Sequence, residues 1–207
     1  MKTENPYKFW SEIQDKENWR DYIIPKRTIK EFDDEGKLQA EQMKSHYDKD
    51  TDVVLDYGTG IGRVLKHMRG KRKIGLDISK TFVAKAKKND SSSEYYTVDD
   101  FSETADFIYS LLVLQHNTEE YRRLIINNIF NLLAPHGKTF ISFPKFDSDI
   151  YKEGKFVHKF TIEEVKSYGS VFDNYIIYED NLVGYKDQRG KYIQTVGTNE
   201  YILVGLK

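Results

Sequence analysis

At 207 residues the chain has the length of one domain and enough apolar mass, with 2 Trp, 15 Tyr and 12 Phe, to bury a real core. Thirty-two Lys+Arg against 33 Asp+Glu leave a formal net charge of -1, so no global field draws it to nucleic acid or membrane. The lack of Cys excludes disulfides, thiolate metal sites and cysteine nucleophiles; with no signal-peptide core and no membrane-length apolar run, the expectation is a cytoplasmic protein.

Residues 1–35 carry Tyr7, Phe9, Trp10, Trp19 and Tyr22 without a clean period, and are expected to be an arm or lid on a domain spanning 36–207. Leu38, Ala40, Met43 and Tyr47 then mark an amphipathic helix, and Val53 to Leu55 a buried strand. Ile61, Val64, Leu65 and Met68 predict a second helix ending at Gly70, before a strand from Lys73 to Leu76. Ser79 caps a helix bearing Phe82, Val83 and Ala86; Tyr95 to Val98 and Phe107 to Leu114 read as strands. Asn117, with Glu120 three residues on, predicts a capped helix whose apolar face runs from Tyr121 to Leu133 and stops at Pro135 to Gly137. Thr139 to Phe143 is a strand, Thr161 to Glu164 a capping box for a short helix, and Tyr175 to Tyr178 and Tyr201 to Leu206 the last strands. Strands separated by helices pair in parallel, whereas the last two, joined without one, form an antiparallel edge hairpin. The expectation is an α/β, doubly wound, seven-stranded, mostly parallel sheet.

The stretch Asp56-Tyr57-Gly58-Thr59-Gly60-Ile61-Gly62 sets glycines at alternate positions between a strand and the segment after it, so a ligand can approach the backbone at the strand's carboxyl end. A dinucleotide fingerprint would need glycine where Arg63 stands, and no Lys-Ser or Lys-Thr follows to make a phosphate loop. Asp56 suits a cationic or hydroxyl-bearing ligand better than a phosphate. Asp77, ending the second strand, can accept two hydrogen bonds from a ribose diol, and Ile78 beside it can pack on a base. Asp99 and Asp100 end the third strand, so three successive strands close on carboxylates.

On these residues the chain resembles the class I S-adenosylmethionine-dependent methyltransferases, from about Gly36 through the final strand: the glycine stretch, Gly75 to Ser79, Val98 to Asp100, Ala105 to His116 and Leu132 to Phe143 each match the family pattern. The resemblance implies a Rossmann-like fold and S-adenosylmethionine as cofactor. Gly58 and Gly60 would line the methionine moiety, Asp77 hold the ribose, Ile78 contact adenine, and Asp99, or alternatively Asp100, meet its amino group. An acidic crevice without a pyrophosphate cradle suits a sulfonium.

His116, past the fourth strand, is the candidate catalytic base, because an imidazole titrates near working pH; the bland reading is a core histidine bonded to backbone. Gln115 can equally orient cofactor or substrate. The other histidines lack metal-ligand spacing, so no metal is expected. Ten basic residues between Arg63 and Lys88 against one acid, Asp77, can serve nucleic acid, but helices flanking a sheet expose Lys routinely. Phe143 to Phe160, interleaving aromatics with Lys, is expected to line the acceptor pocket. The leading expectation is methyl transfer to an oxygen or nitrogen of a small molecule; the alternatives are an RNA or protein acceptor, or a non-catalytic cofactor-binding domain of the same fold.

Overall fold

The computed structural model describes residues 10, 28–48, 51–145, 150–152, 155–180, 184–186, 192–194 and 200–207. The first helix with described bounds, α1 (Ile29–Met43), opens on a closed capping box: the Thr28 hydroxyl accepts the Glu31 N–H while the Glu31 carboxylate accepts the N–H of Thr28. It starts well ahead of Leu38, so the expected boundary between 35 and 36 falls inside a helix. Of the arm's aromatics Trp10 is described; Tyr7, Phe9, Trp19 and Tyr22 lie outside the described residues.

In chain order the strands are β1 (Val53–Tyr57), β2 (Arg72–Asp77), β3 (Glu94–Thr97), β4 (Ala105–Ser110), β5 (Leu133–Pro144), β6 (Ile150–Lys152), β7 (Lys155–Val157), β8 (Asn174–Asp180), β9 (Gly184–Lys186), β10 (Tyr192–Gln194) and β11 (Glu200–Leu206). Seven form one sheet in the order β3-β2-β1-β4-β5-β11-β8, parallel except that β11 runs antiparallel to both β5 and β8. This is the doubly wound sheet with an antiparallel edge that the sequence predicts. The pairs β6–β7 and β9–β10 stand apart as short antiparallel hairpins.

Alternation along each strand divides the core in two. Leu55, Tyr57, Ile74, Leu76 and Ile108 face α3 (Glu119–Leu132) and α4 (Ile162–Gly169), meeting Ile126, Ile129, Val165 and Tyr168. Val54, Phe107, Tyr109 and Phe140 face α1 and α2 (Lys80–Asn89), meeting Ala40, Met43, Val83 and Ala86. The loops at the carboxyl ends of β1, β2, β3 and β4 therefore emerge together where the order turns from β1 to β4, the place at which open α/β sheets bind ligands.

Three predicted elements differ. Residues 61–68 form no α-helix; they run through turns and one 3-10 turn at Leu65–His67, because Gly60 and Gly62 hold φ of +56° and +78° and take the chain off the helical path. Val64, Leu65 and Met68 are nevertheless buried, so their spacing reported burial without specifying the helix. The fourth strand ends at Ser110, four residues early, and Leu112 takes a left-handed φ of 58°. Asn117 does not cap α3: its Nδ2 donates to the Val113 carbonyl at 2.8 Å, and Thr118 stands at the N-cap.

Candidate functional site

The glycine turn after β1 is tied to β2. The N–H groups of Gly58 and Thr59 both donate to the Leu76 carbonyl at 2.8 Å, and the Gly60 N–H donates to Asp77 Oδ2 at 2.9 Å. Gly58 has a φ of +86°, and a Cβ there would lie 2.3 Å from Val113 Cγ2. It is glycine so that the loop after β4 can close against the turn. Gly60 differs: with φ +56°, a Cβ would meet nothing within 4 Å, so this glycine borders open space.

Asp77 is the hub of the crevice. It is buried, with Oδ2 on the Gly60 N–H and Oδ1 on the Ser79 N–H at 2.9 Å. Burial pushes its pKa up to about 6, against the lowering effect of the Ser79, Gly60 and Ile78 amides. Each oxygen retains acceptor capacity beyond its one amide bond. Ile78 is half-buried next to it.

Asp99 and Asp100 part company. Residues Val98–Asp100 form a 3-10 turn and both carboxylates are exposed. Asp100 accepts the Thr97 hydroxyl and lines a separate cleft of about 350 Å³ between α2 and β3, with Lys80, Val83, Lys87 and Tyr96. Asp99 instead shares with Asp77 the surroundings of the Tyr57 hydroxyl, whose pKa is raised first by burial and further by both carboxylates. Tyr57, which also takes a hydrogen bond from Asn128 Nδ2 at 3.3 Å, is a site residue that sequence reasoning missed. Its neighbour Asp56 faces α1, so the period-two alternation of a strand already sends Tyr57 to the opposite face.

Asp56 lies beneath the turn. It is 4% exposed, and burial pushes its pKa up to about 7. The Thr59 and Tyr109 hydroxyls lie near enough to offset part of that rise, yet neither reaches hydrogen-bond geometry with a partner among the described residues. Arg63 adds a favourable field and is itself gripped by α1, through Gln39 Oε1 at 2.7 Å and Glu35 Oε2 at 3.9 Å. Asp33 of the same helix pairs with Lys66 and with His67 at 3.1 Å. Helix α1 therefore braces the segment that follows the glycine turn.

The loop after β4 carries Gln115 and His116 in a 3-10 turn at Leu114–His116. Gln115 Nε2 lies 3.2 Å from His116 Nε2, and the Trp10 ring stands 5.1 Å from the His116 ring at 57°. Arg122, 4% exposed, locks this loop to both helices of that face: it donates to the Asn117 carbonyl at 2.7 Å, the Tyr168 hydroxyl at 3.0 Å and Glu119 Oε2 at 3.0 Å. The His158 N–H donates to the Gln115 carbonyl at 2.8 Å, placing the end of the 143–160 segment beside His116; residues 146–149 and 153–154 lie outside the described residues.

Among the described residues no group of three or more His, Asp or Glu is arranged to hold a metal ion, and no helix is long and apolar enough to cross a membrane. Four of the ten basic residues between Arg63 and Lys88 pair with acids among the described residues. Lys66 pairs with Asp33, Lys71 with Asp52, Arg72 with Glu94 at 2.5 Å and with Glu103, and Arg63 with Glu35.

The methyltransferase domain family matches residues 55–141, the segment that holds the glycine turn and the strand-end acids. Comparison with curated proteins finds no match. Among solved structures, an S-adenosylmethionine-dependent methyltransferase from Anabaena variabilis is 16% identical with a TM-score of 0.68, covering 98% of this chain and 96% of that one. Magnesium protoporphyrin IX methyltransferase from Synechocystis, solved with bound S-adenosylmethionine, is 12% identical with a TM-score of 0.60 over 99% of this chain and 93% of that one. An amino pentose methyltransferase from Micromonospora echinaspora gives 13% identity and a TM-score of 0.60 over 92% and 97%. Over residues 55–141 the chain thus matches the methyltransferase domain family, and its fold is similar to that of S-adenosylmethionine-dependent methyltransferases.

Proposed function

We propose that the chain binds S-adenosylmethionine in the crevice between the glycine turn and Asp77 and moves its methyl group to an oxygen or nitrogen of a small-molecule acceptor. The observation that carries this reading is Gly60. It borders open space at the strand ends while its N–H orients the Asp77 carboxylate, a cradle that a Cβ would fill. The crevice fits the cofactor's chemistry: Asp77 retains acceptor sites for ribose hydroxyls, Ile78 offers an apolar edge to adenine, and Asp99 stands at the same opening as Tyr57. Asp100, turned to the cleft beside α2, is the poorer choice for adenine. Asp56 lies beneath the turn, where burial raises its pKa to about 7, so it adds negative field there only as pH rises past that value.

The bound cofactor supplies an electrophilic methyl on a sulfonium sulfur. The protein's own part is to hold the acceptor in line, exclude water and receive a proton. Of the side chains near the crevice, His116 is suited to the proton, and Trp10 packs against its ring. That contact supports a role for the N-terminal arm in closing the acceptor side. A truncation beginning at Thr28, which keeps the capping box of α1, should stay folded and bind cofactor but lose turnover; full turnover, or unfolding, would contradict the arm's role.

The solved neighbours act, by their names, on a porphyrin and an amino pentose, which favours a small acceptor. The pairing of Arg63, Lys66, Lys71 and Arg72 with acids draws part of the basic stretch away from RNA. The test is incubation of the chain with tritiated S-adenosylmethionine and a metabolite extract, where label should enter one small molecule. Label entering only RNA or protein would redirect the acceptor class, and binding without any transfer would favour a cofactor-binding domain that does no chemistry.

A further inference from the structure

We propose that Leu112 is a positioning residue for methyl transfer: the left-handed backbone held at this residue sets the loop after β4 against the glycine turn. This rests on the methyltransferase reading above. Among the described residues two non-glycine residues have a positive φ, Leu112 at 58° and His136 at 65°. His136 is exposed, in the stretch of β5 where the pairing with β4 shifts register, and histidine is one of the residue types enriched in this region. Leucine is not, and Leu112 stands on the ligand side of the sheet, two residues past the end of β4. Backbone in a sparsely populated region persists only where its surroundings over-determine it, and such residues collect where function needs a fixed geometry.

The surroundings of Leu112 hold it from both sides. Ser110 Oγ donates to the Tyr57 carbonyl at 2.8 Å, fastening the end of β4 to the end of β1, and the Leu112 N–H donates to Ser142 Oγ of β5 at 3.1 Å. Both serines are buried. Directly afterwards the Val113 carbonyl accepts the His116 N–H at 3.2 Å and Asn117 Nδ2 at 2.8 Å, closing a tight turn. With the strand fixed before Leu112 and the closed turn fixed after it, the backbone torsions at 112 set the angle between them.

That angle reaches the crevice. Val113 Cγ2 stands 2.3 Å from where a Cβ on Gly58 would lie, so Val113 packs on the glycine turn, whose Gly60 N–H orients Asp77. His116, the side chain suited to receive the proton, lies in the 3-10 turn that follows. One left-handed residue therefore governs both the wall beside the methyl donor and the place of the base. Transfer depends on holding donor and acceptor in line, and a displacement of about 1 Å can cost on the order of a hundredfold in rate.

Substitutions in the full chain separate the backbone's role from the side chain's. Gly and Asn accept a left-handed backbone, whereas Val, branched at Cβ, does not. With the acceptor that becomes tritiated in the extract, Leu112→Gly and Leu112→Asn should keep kcat within about threefold. Leu112→Val, the closest of the three in apolar character, should lower kcat by about tenfold to a hundredfold and change KM less. If Leu112 served only as an apolar contact, the order would reverse. A loss of kcat in the Gly and Asn variants, or an unchanged kcat in the Val variant, would overturn the proposal. Should Leu112→Val fail to fold, Ser142→Ala removes the anchor of the Leu112 N–H and should lower kcat by about tenfold; an unchanged kcat there would overturn the proposal equally. The loop geometry has its own readout: the intraresidue NOE between HN and Hα of residue 112, strong at positive φ, should be strong in the unaltered chain and in Leu112→Asn. A weak NOE in the unaltered chain would overturn the proposal. Failure of the unaltered chain to bind S-adenosylmethionine would sink the methyltransferase reading, and the catalytic half of this proposal with it, while the NOE still decides the geometry.

Discussion

Replacing Gly58 and Gly60 separately by Ala should split stability from binding, although the two stand close together in the same motif. At Gly58 both the backbone and the space object: φ is +86°, and the new Cβ would sit 2.3 Å from Val113 Cγ2. A left-handed conformation costs an L-residue about 1–2 kcal/mol, and forcing a methyl into a packed wall costs about 1–3 kcal/mol. Gly58→Ala should therefore lose about 2–5 kcal/mol, which for a chain of this size lowers Tm by roughly 4–20 °C. At Gly60 only the backbone cost applies, since a Cβ meets nothing within 4 Å, so Tm should fall by less, on the order of 2–8 °C. The added methyl would instead occupy the space that the methionine moiety needs. Cofactor affinity should drop by about 1–3 kcal/mol, or roughly 5–150-fold. Thermal unfolding and calorimetric titration with S-adenosylmethionine measure the two effects. Gly60→Ala binding the cofactor as tightly as the unaltered chain would refute the assignment of that open space.

Further outcomes follow from the buried acids and from Arg122. The Asp77 pKa of about 6 lies within working range, and its ionised form is the better hydrogen-bond acceptor, so cofactor affinity should rise about tenfold from pH 5 to pH 7. Asp77→Asn should bind more weakly and lose that slope; a slope retained in the variant would assign it to another group. Asp56, raised to about 7, holds its proton to higher pH in the folded than in the unfolded chain. Its contribution to stability is thus fully present below about pH 4 and is lost as pH rises toward 7. At about 1.4 kcal/mol for each tenfold difference in proton affinity between the folded and unfolded chain, Asp56→Asn should be more stable than the unaltered chain at pH 8 by on the order of 1–4 kcal/mol, with the gap closing at pH 4. Urea unfolding at the two pH values checks this, and a gap of equal size at both would contradict it. Arg122→Met should lose about 3 kcal/mol, because the buried Asn117 carbonyl and Tyr168 hydroxyl, and the exposed Glu119, lose their charged donor; an unchanged urea midpoint would contradict that.

The sheet was legible because each strand carries its own apolar run between turn residues, and the glycine turn and Asp77, both singled out from sequence, meet at the Gly60 N–H. The segment 61–68 was misread for a physical reason: its apolar residues recur at helical spacing because they must be buried, while positive φ at Gly62 forbids the helix. Its Cβ would meet the Tyr95 hydroxyl at 2.3 Å, a long-range contact that no local pattern encodes. Arg122 had a readable signal, since it lies four and seven residues before the buried Ile126 and Ile129 on the apolar stripe of α3. The pairing of Gln115 with His116 had none, because it depends on how the loop after β4 closes over Gly58.

The central claim, that the crevice at Gly60 and Asp77 is the methyl-donor site, is tested most directly by a crystal structure of the chain grown with S-adenosylhomocysteine. The ribose hydroxyls should lie on Asp77, the adenine between Ile78 and Asp99, and the sulfur beside Gly60 facing His116. A ligand seated instead in the cleft of Lys80, Tyr96 and Asp100, or no ligand at saturating concentration, would contradict the account.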